Sequence, residues 1–291
     1  SARRTRGRGP RRPRRCSRRP RRRRRGSRSH RRSSGAGRLG ACLLELGDPT
    51  AALARLEEAE QACGEAPSFA PRERACLADL ASRALLRLGS HAEARARAEP
   101  ALPWCDEPEV LASLHEDVGV AASYLGERRL AGLHLGLAAG LHRDRRAPRA
   151  LVRALSYQAI DAFRAGEVEA ALVGYRQALA TAEEHGLGDL VARCSLNVGT
   201  ACHQSGELGE ALAAYERGAR LASALGQADL VLVLDFDLAK LWADVGAFER
   251  AGRVAARVEA EAARRGAPFF AAAAASVLGD CALAAGDAEE A

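Results

Sequence analysis

A repeat of about forty residues governs what this chain can fold into. Seven glycines are spaced 42, 37, 40, 40, 40 and 40 residues apart, at Gly47, Gly89, Gly126, Gly166, Gly206, Gly246 and Gly286. Each is followed five residues later by an alanine, at Ala52, Ala94, Ala131, Ala171, Ala211, Ala251 and Ala291. A fixed period of this size is typical of a solenoid, in which each unit packs only against its neighbours.

Each unit is predicted to be a helix, a turn at the glycine, and a second, antiparallel helix. Glycine suits the turn because it adopts the left-handed conformation that ends many helices. A small residue also stands seven positions before every turn glycine, so the two helices can cross closely there. The clearest structural turn and crossing positions are Gly126, Ala131, Gly166, Ala171, Gly206, Ala211, Gly246 and Ala251. A further small residue follows each turn glycine by twelve positions, except at Val258.

The composition favours helices throughout, since Ala, Leu, Glu and Arg dominate and only 4% of residues are aromatic. First helices are predicted near 35–46, 73–88, 108–125, 148–165, 188–205, 228–245 and 268–285. Second helices are predicted near 49–63, 91–99, 128–142, 168–185, 208–225 and 248–265. The expected fold is all-α, a right-handed α-α superhelix of about seven helix-turn-helix repeats over residues 33–291. The absence of Met and the helix beginning at Asp287 indicate a fragment that is truncated in its last repeat.

Two local features lead to further expectations. Pro100, Pro103 and Pro108 should shorten the second helix of the second repeat and force an extended link through Trp104. Three glycines four residues apart on one helix are expected to allow close packing between neighbouring helices, at Gly132, Gly136 and Gly140.

The first 32 residues differ sharply from the rest. They hold 18 of the chain's 44 basic residues and no acidic one, which leaves 26 basic against 37 acidic residues and a net charge of −11 for the remainder. This Arg/Pro-rich tail is predicted to be disordered, because it has almost no apolar side chain to bury. It could bind nucleic acid or an anionic membrane. It could equally be an inert or non-native extension, and it has no aromatic residue to stack on bases.

The unit 195–215 resembles a tetratricopeptide repeat. It has Gly199 before the turn, Gly206 with an acidic neighbour at the turn, then Ala211 and an aromatic residue. The likeness covers residues 33–291, although the common repeat has about 34 residues and this one is longer. Repeats of this length are similar to those of kinesin light chains and of large bacterial regulators, where they follow an ATPase or protein-kinase module. The resemblance implies a non-catalytic array that binds protein.

Sequence motifs for other chemistry are missing. The chain has no phosphate-binding GxxxxGK[ST] loop, and no GxGxxG follows a predicted strand, so no cofactor is expected. No HExxH or CxxC pair supports a metal site, and the eight cysteines are expected to be reduced, buried small hydrophobes in a cytoplasmic protein. The longest apolar runs, at 130–141 and 269–278, are shorter than the roughly 18 residues that a membrane helix needs, so no membrane partner is expected.

The candidate binding surface is the concave face, which first helices line in solenoids of this type. Residues at the positions of the first helices that should face this groove are polar and carry charges of both signs. Such a surface suits an extended peptide or a partner helix. The residues are Glu116, Arg153, Ser156, Asn197, Thr200, His203, Gln204, Asp237, Lys240 and Asp244. The same residues could also be ordinary solvated helix faces. Chaperone-adaptor tetratricopeptide domains hold a C-terminal carboxylate with a set of Lys, Asn and Arg. Only Asn197 matches that set here.

Three functions remain open from the sequence. The first is a protein-interaction scaffold or sensor, without catalytic residues of its own, within a larger bacterial regulator. The second is the regulatory array of a protein kinase or ATPase transcription regulator. The third is a nucleic-acid-associated regulator that uses the basic tail.

Overall fold

A computed structural model of the protein describes residues 35, 37–64 and 71–286. The expectations for the tail at 1–32 and for the truncated repeat after 286 lie outside these residues. The described chain is helical and contains no strand. This confirms the predicted all-α solenoid.

The helices follow one another as antiparallel pairs joined by short turns. In order they are α1 (37–45), α2 (Pro49–Gly64), α3 (Pro71–Arg87), α4 (His91–Ala98), α5 (Pro108–Tyr124), α6 (Arg128–Asp144), α7 (Pro148–Arg164), α8 (Val168–Glu184), α9 (Gly188–Ser205), α10 (Leu208–Ala224), α11 (Ala228–Asp244), α12 (Phe248–Arg265) and α13 (Pro268–Ala285). Odd-numbered helices are the first helices of the repeats, and even-numbered helices are the second ones.

The turn glycines end the first helices as predicted. Gly206 has a φ of 84°, and the amide of Glu207 donates to the carbonyl of Cys202 at 2.8 Å, which closes the turn. The same bond from the residue after the glycine recurs at the turns of Gly47, Gly89, Gly126, Gly166 and Gly246. At the links between repeats, Gly186, Gly226 and Gly266 also have positive φ, whereas Arg146 takes this conformation without being a glycine.

The contacts between helices show which face is concave. Each first helix touches the first helices of the neighbouring repeats, from α3 to α13. The second helices α6, α8, α10 and α12 make no such contacts with one another within the described chain. The array therefore curves with its first helices on the inside, as the resemblance implied.

The small residues lie at the helix crossings, as predicted. Ala131, Ala171, Ala211 and Ala251 are fully buried. A Cβ atom on Gly199 would lie 2.6 Å from the ring of Tyr215, which is shorter than any ordinary carbon contact. The pair from α5 and α6 behaves in the same way, since a Cβ atom on Gly119 would lie 2.7 Å from the side chain of Leu135.

The second repeat is irregular, but not as expected. Its second helix α4 ends at Ala98, and a 3₁₀ helix follows over Glu99–Trp104 where an extended link was predicted. The extended segment is shorter and begins only at Cys105. Pro100 stands at the start of this tighter helix, where no helical amide donor is needed, whereas Pro103 lies inside it.

The expectation for the glycine row on α6 is wrong. No heavy atom of another element lies within 4 Å of a Cβ built on Gly132 or Gly140, and Gly136 meets only the end of Gln158 at 3.8 Å. Gly132 and Gly136 are exposed on the outer side of the array. The spacing of four residues gave the shared face of the helix correctly, but that face points away from the neighbouring helices.

Replacing Gly132, Gly136 and Gly140 together by alanine should therefore stabilise the protein by about 2 kcal/mol. Each glycine in a helix interior loses roughly 0.5–1 kcal/mol relative to alanine. Urea unfolding followed by circular dichroism measures the gain. A loss of stability in the triple variant would show that these positions pack against a neighbour after all.

One expectation about membranes also needs correction. Helix α13, Pro268–Ala285, is by length and composition apolar enough to cross a membrane, with a mean hydropathy of 1.6, and it is the one such helix among the described residues. The apolar run was expected to end before Asp280. A single charged residue is not a sufficient reason to end it there. The helix packs on the array through Ala274, Val277 and Cys281, as a core helix of a solenoid also would.

The cysteines follow the prediction in part. Cys105, Cys194, Cys202 and Cys281 are buried free thiols. Cys42 is exposed and Cys76 is only half-buried, so these two do not act as core residues.

Candidate functional site

A polar pocket opens on the concave face between α9 and α11, with α10 behind it. It has a volume of about 310 Å³ and is lined by Thr200, His203, Gln204, Tyr215, Asp237, Lys240 and Asp244. Six of these seven residues belong to the groove set that the helical offsets gave. We call this feature the concave pocket.

The forty-residue period brings these side chains together. Thr200 and Lys240 occupy equivalent positions on α9 and α11, and so do Asn197 and Asp237. Because neighbouring first helices pack side by side, equivalent residues line up across the groove. The second helix contributes Tyr215, whose ring fills the space beside Gly199 and whose hydroxyl reaches the pocket.

Most polar groups of the concave pocket already have a partner. His203 Nε2 donates to Asp244 Oδ2 across α9 and α11 at 2.8 Å. The Tyr215 hydroxyl donates to Thr200 Oγ1 at 3.4 Å, and Thr200 in turn donates to the carbonyl of Leu196 at 3.0 Å. These bonds fix the walls of the pocket.

Three of the lining side chains, Gln204, Lys240 and Asp237, make no hydrogen bond within the described chain, and Asp237 is the acidic one among them. Its carboxylate is half-buried and accepts no hydrogen bond from any residue in the described part of the chain. Burial raises the pKa of Asp237 to about 6, although the charges of Lys240 and His203 partly oppose this. The pocket therefore contains a carboxylate whose ionised form is poorly compensated.

Replacing Asp237 by asparagine should stabilise the protein by about 2 kcal/mol near pH 7.5. The native carboxyl keeps its proton up to about pH 6, whereas the unfolded one loses it near pH 4. Wild-type stability therefore falls as the pH rises from about 4 to about 6, and asparagine avoids that fall. Urea unfolding should show the gain near pH 7.5 and not near pH 3. Equal stability of the two proteins near pH 7.5 would contradict an uncompensated carboxylate.

The remaining predicted residues lie elsewhere. Glu116 and Arg153 meet each other between α5 and α7, outside the concave pocket. Ser156 donates to the carbonyl of Val152 at 2.8 Å and lies 3.9 Å from the Cys194 sulfur. Asn197 is half-buried one turn before Thr200.

Glu116 belongs to a buried charge cluster. Its carboxylate binds Arg153 Nη2 at 3.2 Å and His142 Nε2 at 3.3 Å, and only 5% of the residue is exposed. Asp117 and Asp79, 3% and 5% exposed, lie beside it. Burial raises the pKa of both aspartates, and their mutual repulsion adds to the shift at Asp117. The ion pair of Glu116 with Arg153 joins α5 to α7, whereas Asp79 pairs with Arg83 of its own helix α3.

Two residues were missed when groove-facing positions were chosen along each helix. The forty-residue repeat could have identified them. Asp117 and Tyr157 stand nine residues before their turn glycines, as do Asn197 and Asp237. Four consecutive first helices thus carry a polar side chain at the same position. This row is hidden when groove-facing positions are chosen separately for each helix. It becomes visible when residues at the same distance before each turn glycine are compared.

A larger cleft of about 560 Å³ lies away from the concave pocket, where α10, α11 and α12 meet. Val231, Leu232 and Val258 are among its lining residues. Val258 is the repeat position where the sequence has no small residue, and it is buried against Leu232. The charges at its edge are paired, Arg257 with Asp235 at 3.1 Å and Arg264 with Glu261 at 2.6 Å.

One group of side chains has the composition of a metal site. The ligand atoms of Cys202, Glu207 and Glu210 lie within 4.8 Å of one another. Arg176 already binds both carboxylates, at 3.3 Å and 2.7 Å. Burial raises the pKa of the Cys202 thiol to about 11, helped by the two glutamates, so the thiol stays protonated. The ion pairs with Arg176 therefore explain why Glu207 and Glu210 lie close together.

No family model matches the chain, and no curated protein matches its sequence. Solved structures do match the fold. A Signal Transduction ATPase with Numerous Domains from Pyrococcus horikoshii, which has a tetratricopeptide repeat sensor, is similar with a TM-score of 0.73 and 15% identity. The match covers 89% of this chain, which spans only 40% of the archaeal protein.

Two further similar structures contain a bound partner. A Rap protein complexed with Competence and Sporulation Factor has a TM-score of 0.64 and 14% identity, covering 81% of this chain and 69% of the Rap chain. NprR in complex with its cognate peptide NprX has a TM-score of 0.61 and 16% identity, covering 84% of this chain and 71% of that one. These likenesses confirm the tetratricopeptide-like fold.

Proposed function

We propose that this chain is a non-catalytic sensor or scaffold domain that binds an extended peptide, or an extended segment of a partner protein, on its concave face. The concave pocket is the observation that supports this proposal most directly. Its lining side chains come from two neighbouring repeats on the inner side of the array. We place this activity in the cytoplasm of a bacterium, as the composition suggested.

The row of polar residues supports a ligand that runs along the groove. Tyr157, Asn197 and Asp237, each half-buried, stand one per repeat on adjacent first helices, whereas Asp117 of the same row is only 3% exposed and lies in the buried charge cluster. Packed helices lie about 8–10 Å apart, and an extended peptide advances about 3.3 Å per residue. One side chain of the row therefore meets roughly every third residue of a bound peptide, which suits backbone recognition in several repeats.

The similar structures add support of a different kind. The Rap and NprR structures contain a bound factor and a cognate peptide, on folds of the same type. The Pyrococcus protein carries its repeats as the sensor of an ATPase. We therefore propose that this chain, too, belongs to a larger regulator, and that an ATPase or kinase module is the alternative setting for the same binding role.

A peptide selection tests this proposal. Random octapeptides displayed on phage are selected against the immobilised full chain, and enriched sequences are synthesised for titration. We expect micromolar or tighter binding that falls at least about tenfold in Thr200→Tyr, because the added ring fills the concave pocket.

Thr181→Tyr is the matched control. Thr181 makes the same helix bond, from Oγ1 to the carbonyl of Gln177 at 2.9 Å, but it lies on the second helix α8. Binding should stay within about twofold of wild type in this variant. The proposal fails if no sequence is enriched over the bare matrix, or if the two tyrosine variants bind alike.

A further inference from the structure

We propose that the concave pocket selects ligands with a cationic nitrogen, a guanidinium or ammonium group that binds Asp237. This inference rests on the proposed function and specifies which ligands the site takes. A cavity of about 310 Å³ accommodates one long side chain or a chain terminus.

The hydrogen bonds of the pocket point to this chemistry. His203, Tyr215 and Thr200 already donate to Asp244, Thr200 and Leu196 respectively. Asp237 is left as an acceptor without a donor in the described chain. Guanidinium and ammonium groups supply several donors together with a positive charge, and charge-assisted bonds to a carboxylate are the strongest that a ligand can add here.

The charges of the lining residues agree. Asp237 and Asp244 are acidic, and Lys240 is the one Lys or Arg among the lining residues, so the acidic side chains outnumber the Lys and Arg side chains by one. Lys240 is exposed, and its ammonium lies 5.8 Å from the centre of the Phe236 ring. It can swing outward when a ligand cation arrives, since it makes no hydrogen bond to Asp237.

Binding should depend on pH in a defined way. The groups that face Asp237 are His203 on α9, Tyr215 on α10, and Lys240 and Asp244 on α11. Burial raises the pKa of Asp237 to about 6, so acidification to pH 5 removes most of its charge. The loss of this charge weakens cation binding, which should fall roughly tenfold between pH 7.5 and pH 5.

Defined peptide pools test the assignment on the full chain. N-acetylated, C-amidated octapeptides are randomised with neutral residues and carry one fixed central residue, which is Arg, Lys, citrulline or Glu. A fifth pool carries citrulline with a free amino terminus. We expect at least one cationic pool to be retained about fivefold more than the acetylated citrulline pool. Preference for the Arg or Lys pools identifies a side chain, and preference for the fifth pool identifies the terminal ammonium.

Two aspartate variants make the test specific. Asp237→Asn should abolish the cation preference, and its expected gain in stability makes misfolding an unsuitable explanation for that loss. Asp235→Asn, two residues away on α11 and paired with Arg257 in the outer cleft, should retain the preference.

The outcomes separate this inference from the proposed function. Equal retention of all pools, lost in Thr200→Tyr, would overturn the cation assignment and leave peptide binding intact. A cation preference that survives in Asp237→Asn would overturn the role of Asp237. Retention of no pool would contradict both proposals.

Discussion

Replacing Arg153 by methionine should destabilise the protein by about 3 kcal/mol. Glu116 is 5% exposed and takes two hydrogen bonds from the Arg153 guanidinium. Without them it keeps only the hydrogen bond to His142, and it lies beside the buried Asp117. Methionine retains most of the aliphatic packing, so the loss reports mainly on the uncompensated carboxylate. Half of the arginine side chain is exposed, which places the expected cost at the lower end for buried pairs.

The control variant lies four residues earlier on the same helix. Arg149 binds Asp189 with two bonds of 2.6 Å and 2.7 Å, but the two side chains are 60% and 34% exposed, so neither is buried. Arg149→Met should therefore cost less than about 1 kcal/mol. The double variant Glu116→Gln with Arg153→Met should recover most of the loss, because no charge is then left unpaired. Equal unfolding midpoints for the two methionine variants would show that the buried cluster contributes nothing special.

This cluster also marks the limit of what the sequence could predict about the site. Helical offsets placed Glu116 and Arg153 on the groove side together with Thr200 and Lys240. An offset identifies the face of a helix, but it does not tell which side chains of the neighbouring repeat cover that face. In the second to fourth repeats charged residues from α3, α5 and α7 cover each other. Between α9 and α11 the side chains leave a pocket open.

The same distinction explains the half-burial of Asp237. Its environment comes from His203 and Tyr215, which belong to the preceding repeat. A single helix sequence contains no information about such neighbours, whereas the forty-residue period does once repeats are aligned. Alignment on the turn glycines places Asp117 and Tyr157 in one row with Asn197 and Asp237 from the sequence alone.

The helices themselves were predictable because local sterics determine them. A left-handed turn at Gly206 and a small residue at each crossing leave few alternatives, and the helix ends follow within a few residues. The errors occurred where local chemistry allows two outcomes. Prolines before Trp104 fit a 3₁₀ helix as well as an extended link. Glycines spaced by four, as on α6, fit a packed face or an exposed one equally well.

Replacing Gly199 by alanine should destabilise the protein by about 3 kcal/mol, the upper part of the range for overpacked cores. The added Cβ atom would lie 2.6 Å from two ring carbons of Tyr215. Tyr215 is 1% exposed, so its ring is closely packed and cannot move aside without disturbing its neighbours. Gly252→Ala on α12 is the control, because no heavy atom of another element lies within 4 Å of its Cβ position. It should gain roughly 0.5–1 kcal/mol, so the two glycine variants differ in sign.

The preceding repeat suggests how the loss can be reversed. There Ala159 takes the position of Gly199, and the small residue stands on the opposite helix as Gly174, whose Cβ atom would lie 2.9 Å from that of Ala159. Ala214 is the equivalent of Gly174 in the next repeat. The double variant Gly199→Ala with Ala214→Gly should therefore recover at least about 1 kcal/mol, although glycine itself costs roughly 0.5–1 kcal/mol in a helix. A double variant less stable than Gly199→Ala would show that the repeats do not exchange their small residues across the crossing.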